Sequence, residues 1–280
     1  MSSSRIVRSA LFACMALTSA SAFADDHPML DYFSISGGVF ANSFSGSLRA
    51  DGQIRNSGTP LDFDRDLGQG GTRYLPFINV TWRPWDRHEF EFDYYHDSTD
   101  NSRTLDRSLE FNNQTLIVGS TLKSEFSLDA YALSYRYWAW MDDNAAFGIS
   151  AGLQAYSFDL RLKGTLTAAG GGGGVSATHE GNAKASSDLP DPSIGLSYRY
   201  QMAPWARLSV DAGAFKANIG NIDAKLYNFR AGVEFYPWEN WAVITQYSYN
   251  KIDADVEENR FKGNVTFRFS GGQVLLKYRF

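Results

Sequence analysis

The sequence predicts an all-β fold, a membrane-spanning up-and-down antiparallel β-barrel of about ten strands. Three observations support this prediction. Apolar and polar residues alternate in one segment after another, aromatic residues make up 15% of the chain, and the tryptophans gather beside four short turn signals. Alternation with a period of two indicates strands with two different faces, and tryptophan favours the boundary between a membrane and water.

The composition excludes several other classes of protein. Mean hydropathy is −0.31 and only residues 10–24 form a long stretch of low polarity. A polytopic helical membrane protein would need repeated apolar stretches of about 20 residues. Abundant aromatic residues argue against disorder. The single cysteine, Cys14, excludes a disulfide scaffold, and 31 acidic against 26 basic residues give no reason to expect nucleic-acid binding.

Residues 1–24 are predicted to be a signal peptide. Two arginines precede an apolar run, and Ala22-Phe23-Ala24 has the small-x-small pattern of a cleavage site. Cleavage there would leave residues 25–280 as one barrel domain with extended extracellular hairpins. A lipoprotein signal ending at Cys14 is the alternative, but little apolar sequence precedes that cysteine.

The alternating segments each have one face without charge. These faces are Phe33-Ile35-Val39, Ile78-Val80-Trp82, Phe90-Phe92-Tyr94, Tyr131-Leu133-Tyr135-Tyr137, Phe147-Ile149-Ala151-Leu153, Ile194-Leu196-Tyr198-Tyr200, Leu208-Val210-Ala212-Ala214, Tyr227-Phe229-Ala231-Val233-Phe235 and Trp241-Val243-Thr245-Tyr247-Tyr249, before a terminal strand. A soluble sandwich also alternates, with its polar face outward. Alternation alone therefore does not say which face meets solvent.

The tryptophans decide between these two possibilities. All seven lie beside four short turns, where an outer-membrane barrel has its periplasmic aromatic girdle. The predicted girdle comprises Trp82, Trp85, Trp138, Trp140, Trp205, Trp238 and Trp241. Four periplasmic turns join five hairpins, which gives ten strands. Eight or twelve strands remain open, whereas a barrel of 16 strands would need more turns than the sequence contains.

The last ten residues carry a specific resemblance. Val274, Leu276, Tyr278 and Phe280 form one face of a strand that ends on an aromatic residue. This segment resembles the terminal strand of Gram-negative outer-membrane β-barrels. The resemblance implies that Tyr278 and Phe280 are an assembly signal, that the exported chain lies in the outer membrane, and that its partners are outer-membrane lipid and lipopolysaccharide, the assembly machinery and periplasmic chaperones.

Within that superfamily, a narrower resemblance covers three segments. Residues 58–68, residues 82–88 and the Phe280 terminus resemble a group of proteobacterial barrels of unassigned function. This resemblance is specific for location and implies no catalytic residues. It leaves the oligomeric state and any ligand open.

Charged residues are predicted to face the barrel lumen because they alternate with the apolar faces. This lumen charge network comprises Arg83, Glu89, Glu91, Asp93, Arg136, Arg199, Arg207, Asp211, Arg230 and Glu234, and the same alternation points Lys277 and Arg279 inward. Charge inside a narrow barrel must be paired or hydrated. The network is predicted either to plug the lumen or to line a thin wet path, and the plug is favoured because barrels near eight strands just fill with side chains.

No enzymatic site is predicted. A hydrolase needs a nucleophile, a base and an orienting acid that converge, and His96, at the height of the extracellular rim, alternates onto the outward face. No cofactor and no metal are predicted. The segment Asp62–Gly68 begins like a calcium loop, but the chain has Leu67 and Arg73 where that loop needs Gly and Glu. The sequence thus favours a non-enzymatic surface or envelope protein, with a narrow channel for small polar solutes as the alternative.

Overall fold

The computed structural model describes residues 29–51, 59–68, 70–111, 114–116, 121–168, 178–219, 222–257 and 262–280. The predicted signal peptide and the predicted mature start at Asp25 lie outside these ranges. In the part of the chain that is described, no helix is long and apolar enough to cross a membrane.

Ten long strands form a closed wall. They are β1 (Phe33–Ala50), β3 (Thr72–Trp85), β4 (His88–Thr104), β7 (Thr121–Met141), β8 (Ala145–Ala168), β9 (Thr178–Ala203), β10 (Ala206–Ile219), β11 (Ile222–Trp238), β12 (Trp241–Glu257) and β13 (Lys262–Arg279). Each is antiparallel to its neighbours, and β1 closes the ring against β13. The structure confirms the predicted fold class and gives ten strands rather than eight or twelve.

Three short strands lie in the connections at one end of the barrel. They are β2 (Leu61–Asp62), which pairs with β1, and β5 (Leu109–Phe111) and β6 (Gln114–Leu116), which form a small hairpin against β8. The four tryptophan turns, at residues 86–87, 142–144, 204–205 and 239–240, lie at the opposite end together with the C-terminus. Short turns and chain termini are typical of the periplasmic end, so the long connections are extracellular.

The seam between the first and last strands is continuous. Pairing runs from Ser34 opposite Arg279 to Ala50 opposite Gly263. The Phe280 amide donates to the Phe33 carbonyl at 2.9 Å, and the rings of these two residues lie 5.3 Å apart. The terminal aromatic residue therefore helps to close the barrel.

The wall opens at two places on its extracellular side. Toward the extracellular end, pairing of β3 with β4 stops at Phe77, which is opposite Tyr95. The residue of β3 on the extracellular side of Phe77 is Pro76, which has no N–H for a ladder hydrogen bond. Pairing of β9 with β10 ends at Ile194 opposite Ala214, although β9 continues to Thr178 against β8. The short β10–β11 hairpin therefore leaves a low point in the rim.

The two faces of the wall exchange polarity along the strands. In the periplasmic half the outward face is apolar, as at Leu133 and Leu153 on β7 and β8, which are 56% and 54% exposed. Further toward the extracellular end, the same outward face carries Asp129 and Arg161 while buried leucine and phenylalanine fill the inside. The outward apolar band is the membrane-spanning part, and the barrel rises above it as a wall with a packed interior.

Candidate functional site: the barrel lumen

The lumen contains three layers, and the lowest is an ionic cluster at the periplasmic end. Arg207 contacts the carboxylates of Asp31 and Glu234, each at 3.2 Å. Lys277 also bridges these two acids and lies 2.7 Å from Glu234. The Tyr236 hydroxyl donates to Glu234 at 2.6 Å. We call these five residues the periplasmic cluster, and all five side chains are buried.

Asp31 belongs to a segment that the sequence did not identify as part of the lumen. Met29 and Leu30, just before it, are 0% and 6% exposed and pack with Trp138 and Ala146 inside the barrel. The chain therefore enters the lumen before β1 begins and contributes one carboxylate and two apolar side chains to its lower end. Alternation within strands carries no signal for this contact, because residues 29–31 precede the first strand.

Trp138 corrects the predicted girdle. It is 0% exposed, and its indole N–H donates to Glu89 at 3.1 Å, so it faces the lumen. The other six girdle tryptophans are between 40% and 69% exposed. A register shift between Trp138 and Trp140 explains the difference. The irregular residue between them turns Trp140 outward, whereas Trp138 stays on the inward face of β7 together with Arg136.

The second layer is an ionic cluster in the middle of the membrane-spanning part. Arg136 lies 2.9 Å from Glu91 and 3.1 Å from Asp211, and it also pairs with Glu89. Its Nε donates to the Ser197 hydroxyl at 2.7 Å. One guanidinium therefore joins β4, β7, β9 and β10 across the lumen.

Two further arginines complete this layer. Arg230 pairs with Glu91 and lies 3.1 Å from Asp93, and Arg199 lies 3.1 Å from Asp211. Asp211 is also 3.6 Å from the Arg230 Nε. We call the set the central cluster; it comprises Glu89, Glu91, Asp93, Arg136, Arg199, Asp211 and Arg230. A buried charge is costly unless it is paired and hydrogen-bonded, which these contacts provide.

The structure thus places all ten residues of the predicted lumen network inside the barrel, with Lys277 beside them. Arg83 differs from the others in its partners. It donates to the backbone carbonyls of Asp31 and Asp86, at 3.3 and 3.1 Å, while Glu89 pairs with Arg136 instead. Arg83 therefore anchors the segment that precedes β1.

Two small cavities lie beside the central cluster. One, of about 60 Å³, extends toward the periplasmic cluster, and the other, of about 110 Å³, extends upward to Tyr95 and Tyr156. Asp211 and Arg230 line both cavities. Both cavities are lined by polar side chains and are large enough to hold water molecules.

The third layer is an apolar plug that fills the extracellular half. At its centre the Phe44, Phe63 and Phe126 rings lie 5.1 to 5.5 Å apart, and Phe267 lies 5.7 Å from both Phe44 and Phe63. Phe63 comes from the connection between β1 and β3, whereas the others are inward residues of the wall. Close aromatic packing of this kind is typical of the core of a soluble protein.

The connection at residues 59–68 holds the plug in place. Leu61 and Leu67 are 0% and 1% exposed. Asp66 accepts from the guanidinium groups of Arg65 and Arg107, at 3.0 and 2.9 Å. Burial raises the pKa of Asp66, but these hydrogen bonds lower it more, to about 2.

The same connection also fills the gap between β3 and β4. The Asn101 side-chain amide and Arg103, both on β4, donate to the backbone carbonyls of Gly68 and Asp64. On the inside of the gap, Arg73 of β3 lies 3.0 Å from the buried Asp97 of β4. The opening in the hydrogen-bond ladder is therefore covered by side chains and by the connection.

The predicted rim histidine lies on the outer surface, as its alternation indicates. His96 Nδ1 is 2.9 Å from Asp129, which also accepts from the Tyr94 hydroxyl at 3.0 Å. The sequence did not predict this pair because the two residues lie on different strands. Among the described contacts of His96 there is no hydroxyl or thiol nucleophile, and no group of three potential metal ligands occurs among the described residues.

Comparisons with known proteins agree with this architecture. No protein-family model and no curated protein matches the chain. Among solved structures, the outer membrane protease OmpT from Escherichia coli has a TM-score of 0.56 at 12% identity, over 89% of this chain and 96% of that one. The translocator domain of autotransporter NalP from Neisseria meningitidis has a TM-score of 0.34 at 13% identity, over 98% and 97% of the two chains.

These similarities concern the fold alone, because identity is low. The closed ring of ten strands and the outward apolar band are features of membrane-spanning β-barrels. The chain therefore has the fold of an outer-membrane β-barrel.

Proposed function

We propose that the chain is a closed, non-enzymatic barrel that acts through its extracellular surface as a structural or interaction component of the cell envelope. The observation that carries this proposal is the filled lumen. Ionic side chains and the segment at residues 29–31 occupy the periplasmic half, and the apolar plug occupies the extracellular half. A solute would have to displace charged groups from their partners and then cross a packed aromatic core.

The extracellular half supports a surface role. Its outward residues are polar, and its connections are tied together, since the Thr59 amide donates to the Glu110 carbonyl at 2.8 Å and the Glu110 amide to the Thr59 hydroxyl at 3.1 Å. A rigid wall that projects from the membrane suits contact with other surfaces better than it suits transport.

A narrow channel is the second candidate, and one observation favours it. The two cavities meet at Asp211 and Arg230, so movement of these two side chains would join them into one polar space. That space would still end at the apolar plug. A channel would therefore also require an opening through the apolar plug, whereas the closed barrel requires no opening.

Single-channel recording in planar bilayers distinguishes the two candidates. Wild-type protein should show no conductance steps. The triple variant D211A/R230A/E234A should also stay silent, because the plug remains. The triple variant F44A/F63A/F126A should stay silent because the ionic clusters remain, and only the combined six-fold variant should conduct.

Folding of each variant is checked by heat-modifiable mobility on gels, which reports the closed barrel. Steady conductance by the folded wild type would reject the closed barrel and support the channel. Conductance by D211A/R230A/E234A alone would show that the apolar plug does not seal the lumen.

The assembly signal is a separate part of the proposal. Phe280 is 53% exposed and its ring lies 4.8 Å from Tyr278, so both aromatic residues remain accessible at the seam. We expect deletion of Phe280 to lower the yield of folded barrel in cells more than it lowers synthesis. The matched control for this deletion is the Phe280→Tyr variant, which keeps a terminal aromatic ring and should assemble normally. Equal yields for the deletion and the wild type would contradict this role.

A further inference from the structure

Small polar residues line the upper of the two cavities, between the central cluster and the apolar plug. Unlike the inward residues above and below them, these residues are neither charged nor aromatic. They are Ser134 on β7, Ser150 and Gly152 on β8, Ser193 on β9, Asn228 on β11 and Asn250 on β12. We call these six residues the neutral layer.

The strand register places the neutral layer side by side on the inner wall. Gly152 is directly opposite Ser134 on one neighbouring strand and Ser193 on the other. Further round the wall, Asn228 is directly opposite Gly213 of β10. The neutral layer therefore continues from strand to strand at one level of the lumen.

Glycines keep the hydroxyl groups of this layer uncovered. A Cβ at Gly152 would lie 3.0 Å from the Ser193 hydroxyl, and a Cβ at Gly195 would lie 2.8 Å from the Ser150 hydroxyl. Side chains at these two glycines would occupy the space beside the hydroxyls. Because both positions lack a Cβ, the hydroxyls remain open to the cavity.

Four polar groups of the neutral layer have no hydrogen-bond partner in the described part of the chain. They are the hydroxyls of Ser134, Ser150 and Ser193 and the side-chain amide of Asn228. Polar groups inside a protein are nearly always hydrogen-bonded, and those without a protein partner are met by water or by a ligand. The four groups therefore point to a molecule in the cavity.

The size and the charge of the cavity define that molecule. A single water needs about 10–15 Å³ of accessible space, so a cavity of about 110 Å³ has room for a ligand of several non-hydrogen atoms. The charged residues at its floor are Asp93, Arg136, Asp211 and Arg230, and they form ion pairs with one another. A charged ligand would lose its hydration without gaining a free counter-charge, so a neutral ligand is favoured.

Aromatic rings form the roof of the same cavity. The roof comprises Phe40, Phe77, Tyr95 and Tyr156, and the Phe77 and Tyr95 rings are stacked with their centroids 6.4 Å apart. Ligand sites typically combine an apolar or aromatic surface with a few well-placed polar groups. A molecule with C–H groups on one side and hydroxyls on the other would match both the roof and the neutral layer.

The cavity also reaches the opening in the wall between β9 and β10. Pairing of these strands ends at Ile194 opposite Ala214, and Ser193 is the next residue of β9 on the extracellular side. Because Ser193 also lines the cavity, the opening lies beside the neutral layer. This route to the cavity does not pass through the apolar plug.

We propose that the neutral layer binds a compact neutral polyol, which enters through the opening between β9 and β10. The hydroxyls and the amide of the layer hydrogen-bond to the hydroxyls of the polyol, and the aromatic roof packs against its C–H groups. The site is a dead end, because the central cluster closes it below and the apolar plug closes it above. The proposal therefore adds a ligand to the barrel and does not rest on whether the lumen conducts.

The test uses the refolded barrel in phosphatidylcholine vesicles and three labelled polyols, glycerol, xylitol and glucose. Binding is measured by equilibrium dialysis, because polyols stabilise proteins without binding to them, so the unfolding temperature is not a specific readout. The variant S134A/S150A/S193A removes three hydroxyls of the neutral layer. The control variant S36A/S209A removes two hydroxyls that line the lower cavity. Heat-modifiable mobility on gels checks that each variant is folded.

The wild type and the control variant should bind at least one of the three polyols equally, with millimolar affinity. The variant S134A/S150A/S193A should bind that polyol about ten-fold more weakly, because several hydrogen bonds are lost together. Asn228→Ala should weaken binding of the same polyol by a smaller factor. Gluconate and glucosamine, which carry a charge, should bind more weakly than glucose.

A second readout locates the bound polyol. In a Cys14→Ser background, Ser193→Cys should react with a water-soluble thiol reagent, and the polyol should slow that reaction. Ser127→Cys, on the outer surface of β7, should react at the same rate with and without the polyol. Equal rates with and without the polyol at both positions would overturn the proposed site.

The dialysis results can also overturn the proposal. If none of the three polyols binds to the wild type, the cavity holds water alone. Equal affinity of S134A/S150A/S193A and the wild type would move binding away from the neutral layer, and an equal loss in the control variant would show a general effect on the barrel. Tighter binding of gluconate or glucosamine than of glucose would reject a neutral ligand.

Discussion

The membrane-spanning half and the extracellular half of this barrel are built from the same strands with opposite polarity. In the lower half, apolar side chains face lipid and two ionic clusters fill the lumen. In the upper half, polar side chains face water and aromatic residues fill the lumen. The exchange follows from the surrounding solvent, because apolar surface is stable against hydrocarbon and is hidden from water.

The lumen of one barrel therefore need not have a single character along its length. Where lipid surrounds the barrel, the apolar side chains lie on the outward face and ion pairs hold the inward side chains together. Where the outside is water, the inside becomes an ordinary hydrophobic core. The point of exchange on each strand marks the edge of the membrane.

The largest expected effect concerns charge inside the lower half. Arg136→Leu leaves Glu89, Glu91 and Asp211 short of one buried partner and should cost about 3–5 kcal/mol of unfolding free energy. The matched variant is Arg161→Leu in the upper half, which breaks an outward ion pair with Asp159, with side chains 46% and 40% exposed. It should cost less than about 1 kcal/mol. Both are measured by urea unfolding in lipid vesicles, and similar costs would contradict the difference between the two halves.

The next effect concerns charge placed on the outward face of one strand. Leu133→Arg on β7 puts a cation into the apolar band and should cost about 2–4 kcal/mol if the site is near the midplane. Ser127→Arg lies on the same face of the same strand, above the exchange point, and should change stability by less than about 0.5 kcal/mol. The unfolding free energy in vesicles checks both, and an equal penalty at the two positions would place the membrane edge elsewhere.

The lower half of the barrel is more predictable from the sequence than the upper half, for a physical reason. Alternation with a period of two gives each residue's face directly, so the inward position of residues such as Asp211 and Glu234 followed from it, whereas the turns and the strand number followed from the positions of the tryptophans. The same alternation also shows the exchange of polarity along β7, because Phe126 and Leu128 lie on the same inward face of β7 as Arg136. That signal is missed when one face is assumed to keep one polarity along the whole strand.

The remaining differences came from contacts that no local pattern carries. Met29 and Asp31 enter the lumen from outside any strand, and Phe63 joins the plug from a connection. Trp138 was assigned outward from its place beside a turn, although its parity with Arg136 already placed it inward. The irregularity before Trp140 is what separates the two tryptophans, and it is visible only in the pairing.

A smaller effect concerns the anchoring of the plug at low pH. The pKa of Asp66 in the folded barrel is about 2, below its usual value of 3.8. The stabilisation that the ionised Asp66 carboxylate gives to the folded barrel is therefore complete above about pH 4 and is lost as the pH falls toward 2. A spin label at a cysteine replacing Asp64 should become more mobile over that range. The same label in an Asp66→Asn chain should show no pH dependence, and pH-independent mobility in both chains would remove Asp66 from the anchor.

The most direct test of the two-half account is a cysteine scan along β7, in a Cys14→Ser background. At odd positions from 131 to 137, a label should be quenched by lipid-bound quenchers, and at odd positions from 123 to 129 a water-soluble thiol reagent should react. At the even positions 122, 126 and 128, within the plug, neither reagent should reach the label. We expect this change of solvent to fall between Tyr131 and Asp129. Water access to the even positions of the upper half, or lipid contact continuing above Asp129, would contradict it.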